Sequence, residues 1–343
     1  MWTHTYRAAL CCLGVTVLAC GEPVTQPSES SEPAPSTPSL STTVPGIWRL
    51  MPYLLPARAG MAASVTDKSI VVIGGWVFGK ILRKVVAYDL ETRTWRQLRP
   101  LPEPRVMAGA TTIHGKIYVA GGESQIDDPA DPRYGDRVFH KSLFVYDPGT
   151  DTWSRKADMP RPGWALQAAV LGRLYVYVNG SFFAYSPRID RWVTLRPPPS
   201  RHDLGVMAEV GGKVYLTSGI TEATANADNG ELDVYDPATG AWTVKSPMRL
   251  PSTFMTATRM HGRLWVTSGP SDFVARPDFQ GYTTNRGVQV YDPLSDQWTD
   301  GPPMLKSSRQ GASVYAGGRL YVLGGTDTDG HVTGVVQALS TSY

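Results

Sequence analysis

Cysteine is almost missing from this chain: 343 residues hold three, Cys11, Cys12 and Cys20, all within the first twenty positions. Whatever folds beyond them can form no disulfide, so its stability has to come from buried apolar surface. Long apolar runs are scarce too. The longest covers residues 8–19, short of the roughly 20 residues that a transmembrane helix needs. No long stretch repeats its apolar residues every 3.6 positions, and 34 Gly and 28 Pro interrupt the chain throughout, which excludes all-α and α/β folds. Charge of one sign is not in excess either. Lys and Arg number 33 against 30 Asp and Glu, a formal +3, so no strong field draws the chain to nucleic acid.

What is present begins with a leader. Residues 1–7 are short and polar with one charge, Arg7, and the apolar run 8–19 follows, which predicts a signal peptide over 1–19. Its end, Val17-Leu18-Ala19-Cys20-Gly21, resembles the bacterial lipobox. The resemblance implies cleavage before Cys20 and attachment of a diacylglyceryl group, usually with an N-acyl chain such as palmitate. More than one chain is needed, since a single acyl chain holds a membrane only marginally. The alternative is an ordinary signal peptide cleaved elsewhere. Residues 20–45 then form a tether, because "PSESSEPAPSTPSLSTTVP" has too little apolar surface to offset the entropy of ordering it. The expected location is a bacterial cell envelope, lipid-anchored and facing the periplasm or the exterior, with residues 46–343 as the folded part.

That part repeats. A tyrosine is followed seven positions later by a tryptophan in Tyr88/Trp95, Tyr146/Trp153, Tyr185/Trp192, Tyr235/Trp242 and Tyr291/Trp298. The text between them, as in "YDPGTDTW" and "YDPLSDQW", is two strand ends around a tight polar turn. Upstream of each pair stands an aliphatic and aromatic strand such as "HGKIYVAGG" or "GGRLYVLGG", and before it a strand of small residues such as "AGATTI". Each unit therefore has four strands, the last carrying the tryptophan.

Diglycine ending the second strand, Tyr-Asp in the third and Trp in the fourth resemble the kelch family, over nearly everything from Trp48 to Tyr343. The diglycine is intact at Gly74-Gly75, Gly121-Gly122 and Gly324-Gly325, and becomes Asn179-Gly180, Ser218-Gly219 and Ser268-Gly269 elsewhere. Residues 307–339 supply three strands with no tryptophan after them, while "PGIWRLMPYLLP" supplies a lone fourth strand with Trp48. The expected fold is all-β, a six-bladed kelch β-propeller whose last blade is closed by the N-terminal strand, leaving no open sheet edge at the joint.

In an up-and-down blade the loop after the second strand and the connection into the next blade share one face, and loop length varies most there. Near that mouth stand Arg58, Arg105, Arg161, Arg201 and Arg309. Two readings stay open for them: binding a carboxylate ligand through bidentate hydrogen bonds, or pairing with carboxylates and backbone carbonyls between blades. An acidic loop with Asp127, Asp128, Asp131 and Asp136 lacks EF-hand spacing. His140, His202 and His331 share the face, whereas His114 and His261 lie in turns on the opposite one. Neither group predicts a metal centre, and no cofactor is expected.

Three function classes compete. The first is a binding module for a protein, peptide or glycan at the propeller mouth, as kelch propellers often are. The second, by resemblance to the exported N-acetylneuraminate epimerases, is an anionic-sugar epimerase, for which Glu209 on an innermost strand is the candidate acid or base. The third, by resemblance to galactose oxidase, is a copper radical enzyme. That family needs a cysteine crosslinked to tyrosine, and no cysteine follows Cys20. Binding is the expectation and epimerisation the alternative.

Overall fold

The computed structural model describes residues 44–341 except 222–223, 229, 268–269, 277–278 and 285, and only the backbone of the remaining residues within 221–228 and 270–284. The leader, Cys20 and nearly all of the tether lie outside the described residues, as does Ser268-Gly269.

Six four-stranded antiparallel sheets make up the body. Blade one holds Ala62–Val65, Ser69–Ile73, Val85–Asp89 and Trp95–Leu98; blade two Gly109–Ile113, Lys116–Ala120, Leu143–Asp147 and Thr152–Lys156. Blade three holds Leu166–Val170, Arg173–Val178, Ser181–Ser186 and Arg191–Leu195; blade four Val206–Val210, Lys213–Thr217, Leu232–Asp236 and Ala241–Lys245. Blade five holds Thr256–Met260, Arg263–Thr267, Val288–Asp292 and Gln297–Asp300, and blade six Ala312–Ala316, Arg319–Leu323, Val336–Ser340 and, from the other end of the chain, Ile47–Met51. The closing pair runs Ile47↔Ser340 to Met51↔Val336, as the stray Trp48 predicted. Innermost strands of successive blades touch all the way round, the first against the last, which completes a six-bladed propeller.

The seven-residue Tyr-to-Trp spacing follows from the hairpin. The two rings sit directly opposite, as in Tyr146↔Trp153 and Tyr291↔Trp298, with centroids 5.0 and 5.2 Å apart. The aspartate after the tyrosine turns the chain, its Oδ1 accepting from backbone amides two residues on at Glu91, Gly149, Ala238 and Leu294. In blade three Ser186 stands in its place. All six blade tryptophans have one further job: the indole N–H donates to a carbonyl of the preceding connection, at Pro302, Pro52, Arg99, Ala157, Arg196 and Ser246, over 2.7–3.1 Å. Each tryptophan thus pins its outermost strand to the neighbouring blade.

Apolar side chains of facing blades form six clusters among the described residues, one at each blade junction. Second and third strands are buried on both faces for this reason; Ser69–Ile73 is buried throughout. Each large side chain so buried contributes about 1.5–3 kcal/mol against exposure. Val44 belongs to the junction of blades five and six, and its amide donates to the Asp300 carbonyl, so the packed body starts two residues before the expected position 46.

Candidate functional site

Short bridges Ala59↔Trp76, Val106↔Glu123, Asp203↔Ile220 and Arg309↔Thr326 tie each connection to the loop after its own second strand, so both emerge on one face as expected. These bridges also reveal why the second residue of the diglycine is fixed. A Cβ on Gly122, Gly219 or Gly325 would lie 2.7, 2.5 or 2.5 Å from the carbonyl oxygen of the bridge residue opposite. The first glycine is no freer, since a Cβ on Gly74, Gly121 or Gly324 would lie no more than 2.6 Å from the Arg105, Gly163 or Arg58 carbonyl oxygen. Where the diglycine is lost, Asn179 and Ser218 keep its left-handed backbone at φ of 47° and 64°.

The bridges set the frame for the arginines. The residue just before each bridge is Arg58, Arg105, His202 and Ser308, and all four are buried. Arg58 donates to the carbonyls of Pro56, Gly74 and Lys84 at 3.1–3.2 Å. Burial pulls its guanidinium pKa down to about 10. Arg105 donates to the Pro104 carbonyl, Glu103 and Ser142. His202 and Ser308 do related work, the ring facing the Ser218 carbonyl and the hydroxyl bonding the Gly324 carbonyl. Arg201 lies one residue ahead of this frame and pairs with Asp203, and Arg309 lies one residue past it, over the Phe254 ring at 4.9 Å. Arg161, on the exposed rim, donates to the Asn179 carbonyl and the Ser181 hydroxyl. The five arginines therefore do not converge on one ligand position.

The three histidines also stay apart. His202 is fully buried against Asp233 at 3.0 Å, His140 bonds Ser124 at 2.7 Å, and His331 is exposed beside Asp327. Burial first, and Arg105 second, lower the His140 pKa to about 4. Asp128 and Asp131 cap turns of their own loop, and Asp131 holds Arg133. Among the described residues the one metal-type grouping is Asp327, Asp329 and His331 on an open loop.

Glu209 requires a correction. It stands four residues along its strand from Gly205, roughly 13 Å deeper at 3.3 Å per residue, at the channel end opposite the mouth. There it accepts from the Gly212 amide and pairs with Arg259, both at 2.9 Å. No mouth arginine is its neighbour.

What does line the mouth is the residue two places after the buried frame position: Gly60, Met107, Trp164, Leu204, Phe254 and Gln310. All but Trp164 have a left-handed backbone, with φ between 54° and 63°. Their backbones are chained, Met107 N–H to Gly60, Gly60 N–H to Gln310, Gln310 N–H to Phe254 and Phe254 N–H to Leu204, at 2.7–3.2 Å. Non-glycine residues held at positive φ cost of order 1–3 kcal/mol each and gather where structure serves a site. Beneath them is a cavity of about 170 Å³, and above it Trp76, Ile81, Glu123, Gln125 and Arg137 extend a second hollow of about 340 Å³.

This outer hollow holds one buried carboxylate. Glu123 accepts from the Trp164 indole at 3.0 Å and from Arg137 Nε at 2.9 Å, with a second Arg137 donor on the same oxygen. Arg137 in turn covers Trp164 and Phe139 at 5.2 and 5.4 Å. Trp76 faces them across the opening and reaches Gln310 at 3.4 Å. Charge here is paired, and the free surface is aromatic and apolar. These residues escaped the sequence reading, although one signal was available: Trp76 and Trp164 are tryptophans that the repeat does not use.

Fold and mouth together define a class, the propeller scaffolds that present loops around a central opening. Comparison with known proteins makes it narrower. The Kelch motif family matches residues 57–102 and 104–160. Beta-scruin of Limulus polyphemus is 24% identical over 69% of this chain and 26% of its own length, and Kelch-like protein 36 of Bos taurus 24% over 77% and 43%. Kelch-like protein terF of Aspergillus terreus is 26% identical over 88% of this chain and 69% of its own. The chain thus spans between a quarter and a half of the first curated relatives it matches. The solved structure titled "Structure of YjhT" superposes with a TM-score of 0.69 at 15% identity, covering 84% of this chain and 97% of that one, a likeness of fold. This chain is a six-bladed β-propeller that carries kelch motifs over residues 57–102 and 104–160.

Proposed function

We propose that the chain is a cell-envelope lipoprotein whose kelch propeller is an interaction module, holding a protein, peptide or glycan partner at its mouth while acyl groups on Cys20 anchor it. One observation supports the mouth above all: Trp76, Trp164 and Phe254 converge around a hollow whose charges, Glu123 and Arg137, are already paired. Rigid aromatic rings offer large contact area with little loss of side-chain freedom, which suits protein and sugar surfaces alike. The kelch repeat favours a protein partner. The epimerase alternative loses the support that Glu209 gave it, and the mouth carboxylate it would now require is Glu123.

A photo-crosslinking residue placed at Ile81 in the mouth, and for contrast at Thr152 on the far face, tests this in intact cells. Adducts are expected from position 81 and to weaken at least about tenfold when Trp164→Ala is added, as for an aromatic anchor contributing roughly 1.4 kcal/mol or more. Equal adducts from both faces, or none from the mouth, would remove the site. A wild-type protein that exchanges sialic-acid anomers, followed by NMR, would instead establish the epimerase.

A further inference from the structure

The outermost strand of blade six differs from its five counterparts. Around its tryptophan the chain exposes Ile47 (64%) and Leu50 (50%) on the strand Ile47–Met51, and Tyr53 (55%) and Leu55 (70%) on the segment that follows it. The residues before the other blade tryptophans are Thr94, Thr152, Arg191, Ala241 and Gln297, and those two places after are Gln97, Arg155, Thr194, Val244 and Asp300. Only Val244 among these ten is a large apolar residue. Four exposed side chains of this kind within nine positions concentrate apolar surface along one outer edge of the propeller, as interaction surfaces do.

The position of this edge in the chain says what covers it. Val44 follows Cys20 by 24 residues, and the exposed edge starts three residues later. Read from its sequence as a Pro-rich tether, a stretch of that length reaches at most about 75 Å at about 3.1 Å per residue, and of all parts of the propeller this edge is attached nearest to the anchor. Charge agrees. No acidic residue occurs from 33 to 66, while Arg49 sits on the exposed edge, a balance suited to anionic headgroups. Tyrosine with leucine and isoleucine is also the pairing that favours a membrane–water interface.

We infer that Ile47, Leu50, Tyr53 and Leu55 rest on the lipid surface to which the chain is anchored, fixing the propeller on edge with its mouth facing sideways along the membrane. This rests on the lipid-anchor reading above. The tether makes contact intramolecular, so a patch too weak to hold the domain alone still orients it.

The mature chain has no cysteine beyond Cys20, so single labels are clean. Full-length lipidated protein carrying Leu50→Cys, Tyr53→Cys or Arg155→Cys, each with an environment-sensitive dye, is reconstituted into phosphatidylethanolamine–phosphatidylglycerol vesicles bearing headgroup-level nitroxide lipid. Labels at 50 and 53 are expected to be quenched by that lipid at least about threefold more than the label at 155, and to be shielded from aqueous iodide. Equal lipid quenching at all three positions overturns the inference. Shielding from iodide without lipid quenching overturns it in favour of a second copy of the chain. Flotation of wild type and Cys20→Ser with the same vesicles reads the anchor separately: wild type that fails to float removes anchor and edge together, whereas a floating protein whose label at 50 stays in water removes the edge alone.

Discussion

The two ends of the central channel are built from the same six strands and have opposite characters. At the far end the repeat is regular. Cations at the turns meet the aspartate of the third strand in Lys116–Asp147, Lys213–Asp236 and Arg263–Asp292, at 2.8–3.0 Å, and Glu209 with Arg259 adds one more pair. At the mouth the repeat breaks, with unequal loops and with Trp76 and Trp164 outside the blade pattern. The far end holds the ring together with exposed, replaceable ion pairs; the mouth concentrates close backbone approaches and aromatic surface, the features on which the proposed binding site rests.

The sharpest way to break this contrast is to add one methyl group at each end. Gly325 at the mouth has φ of 93° and room for a Cβ only 2.5 Å from the Arg309 carbonyl, whereas Gly262 at the far end has φ of 72° and open space around it. Gly325→Ala is expected to destabilise by about 3 kcal/mol or more and Gly262→Ala by about 1 kcal/mol. Chemical denaturation measures both, and equal losses would make the two ends alike.

Acid should separate them next. His140 near the mouth has its pKa lowered from 6.5 to about 4, so between those values the unfolded chain binds a proton that the folded one refuses. Stability therefore falls as pH drops from 6.5 towards 4, and His140→Gln should flatten that part of the profile. At the far end Asp151 and Asp296 are held below the usual carboxylate range, chiefly by the Tyr146 and Tyr291 hydroxyls, and Asp190 chiefly by the Ala157 amide. Their contribution is present above about pH 4 and is lost as pH falls through the lowered values. Melting temperature against pH should show two declines, and only the lower one should respond to Asp151→Asn.

The smallest effect is expected from Glu209→Gln. Its partner Arg259 is half exposed, and surface pairs of this kind contribute about 0–1 kcal/mol. Stability should change by less than about 1 kcal/mol and crosslinking at the mouth not at all. Loss of mouth adducts in this variant would mean that the ends communicate.

Fold and site were unequally legible in the sequence. Tyr-to-Trp spacing is local, so it revealed the hairpins, the blade count and the closing role of Trp48 without reference to anything distant. The arginines misled because a shift of one residue decides burial: Arg58 and Arg105 precede the bridge residue, while Arg201 and Arg309 fall either side of that frame, and spacing in irregular connections does not show which. Glu209 misled for a different reason. Its partner is fifty positions on, in the next blade, and its depth along the channel depends on strand direction. The mouth set of Trp76, Glu123, Arg137, Trp164 and Phe254 comes from four blades, and no local pattern joins them.

Closing the last blade with both ends of the chain has a consequence for biogenesis. Trp48 and its partner Leu339 are separated by roughly 290 residues, and at ribosomal rates of about 5–20 residues per second the first waits roughly fifteen seconds to a minute for the second. Until then every finished blade belongs to an open arc that can still be drawn out straight, and the apolar edge at Ile47 and Leu50 has no sheet behind it. The ring becomes a ring only once Leu339 has been made, so of all the blade joints this one is the clasp that is fastened last.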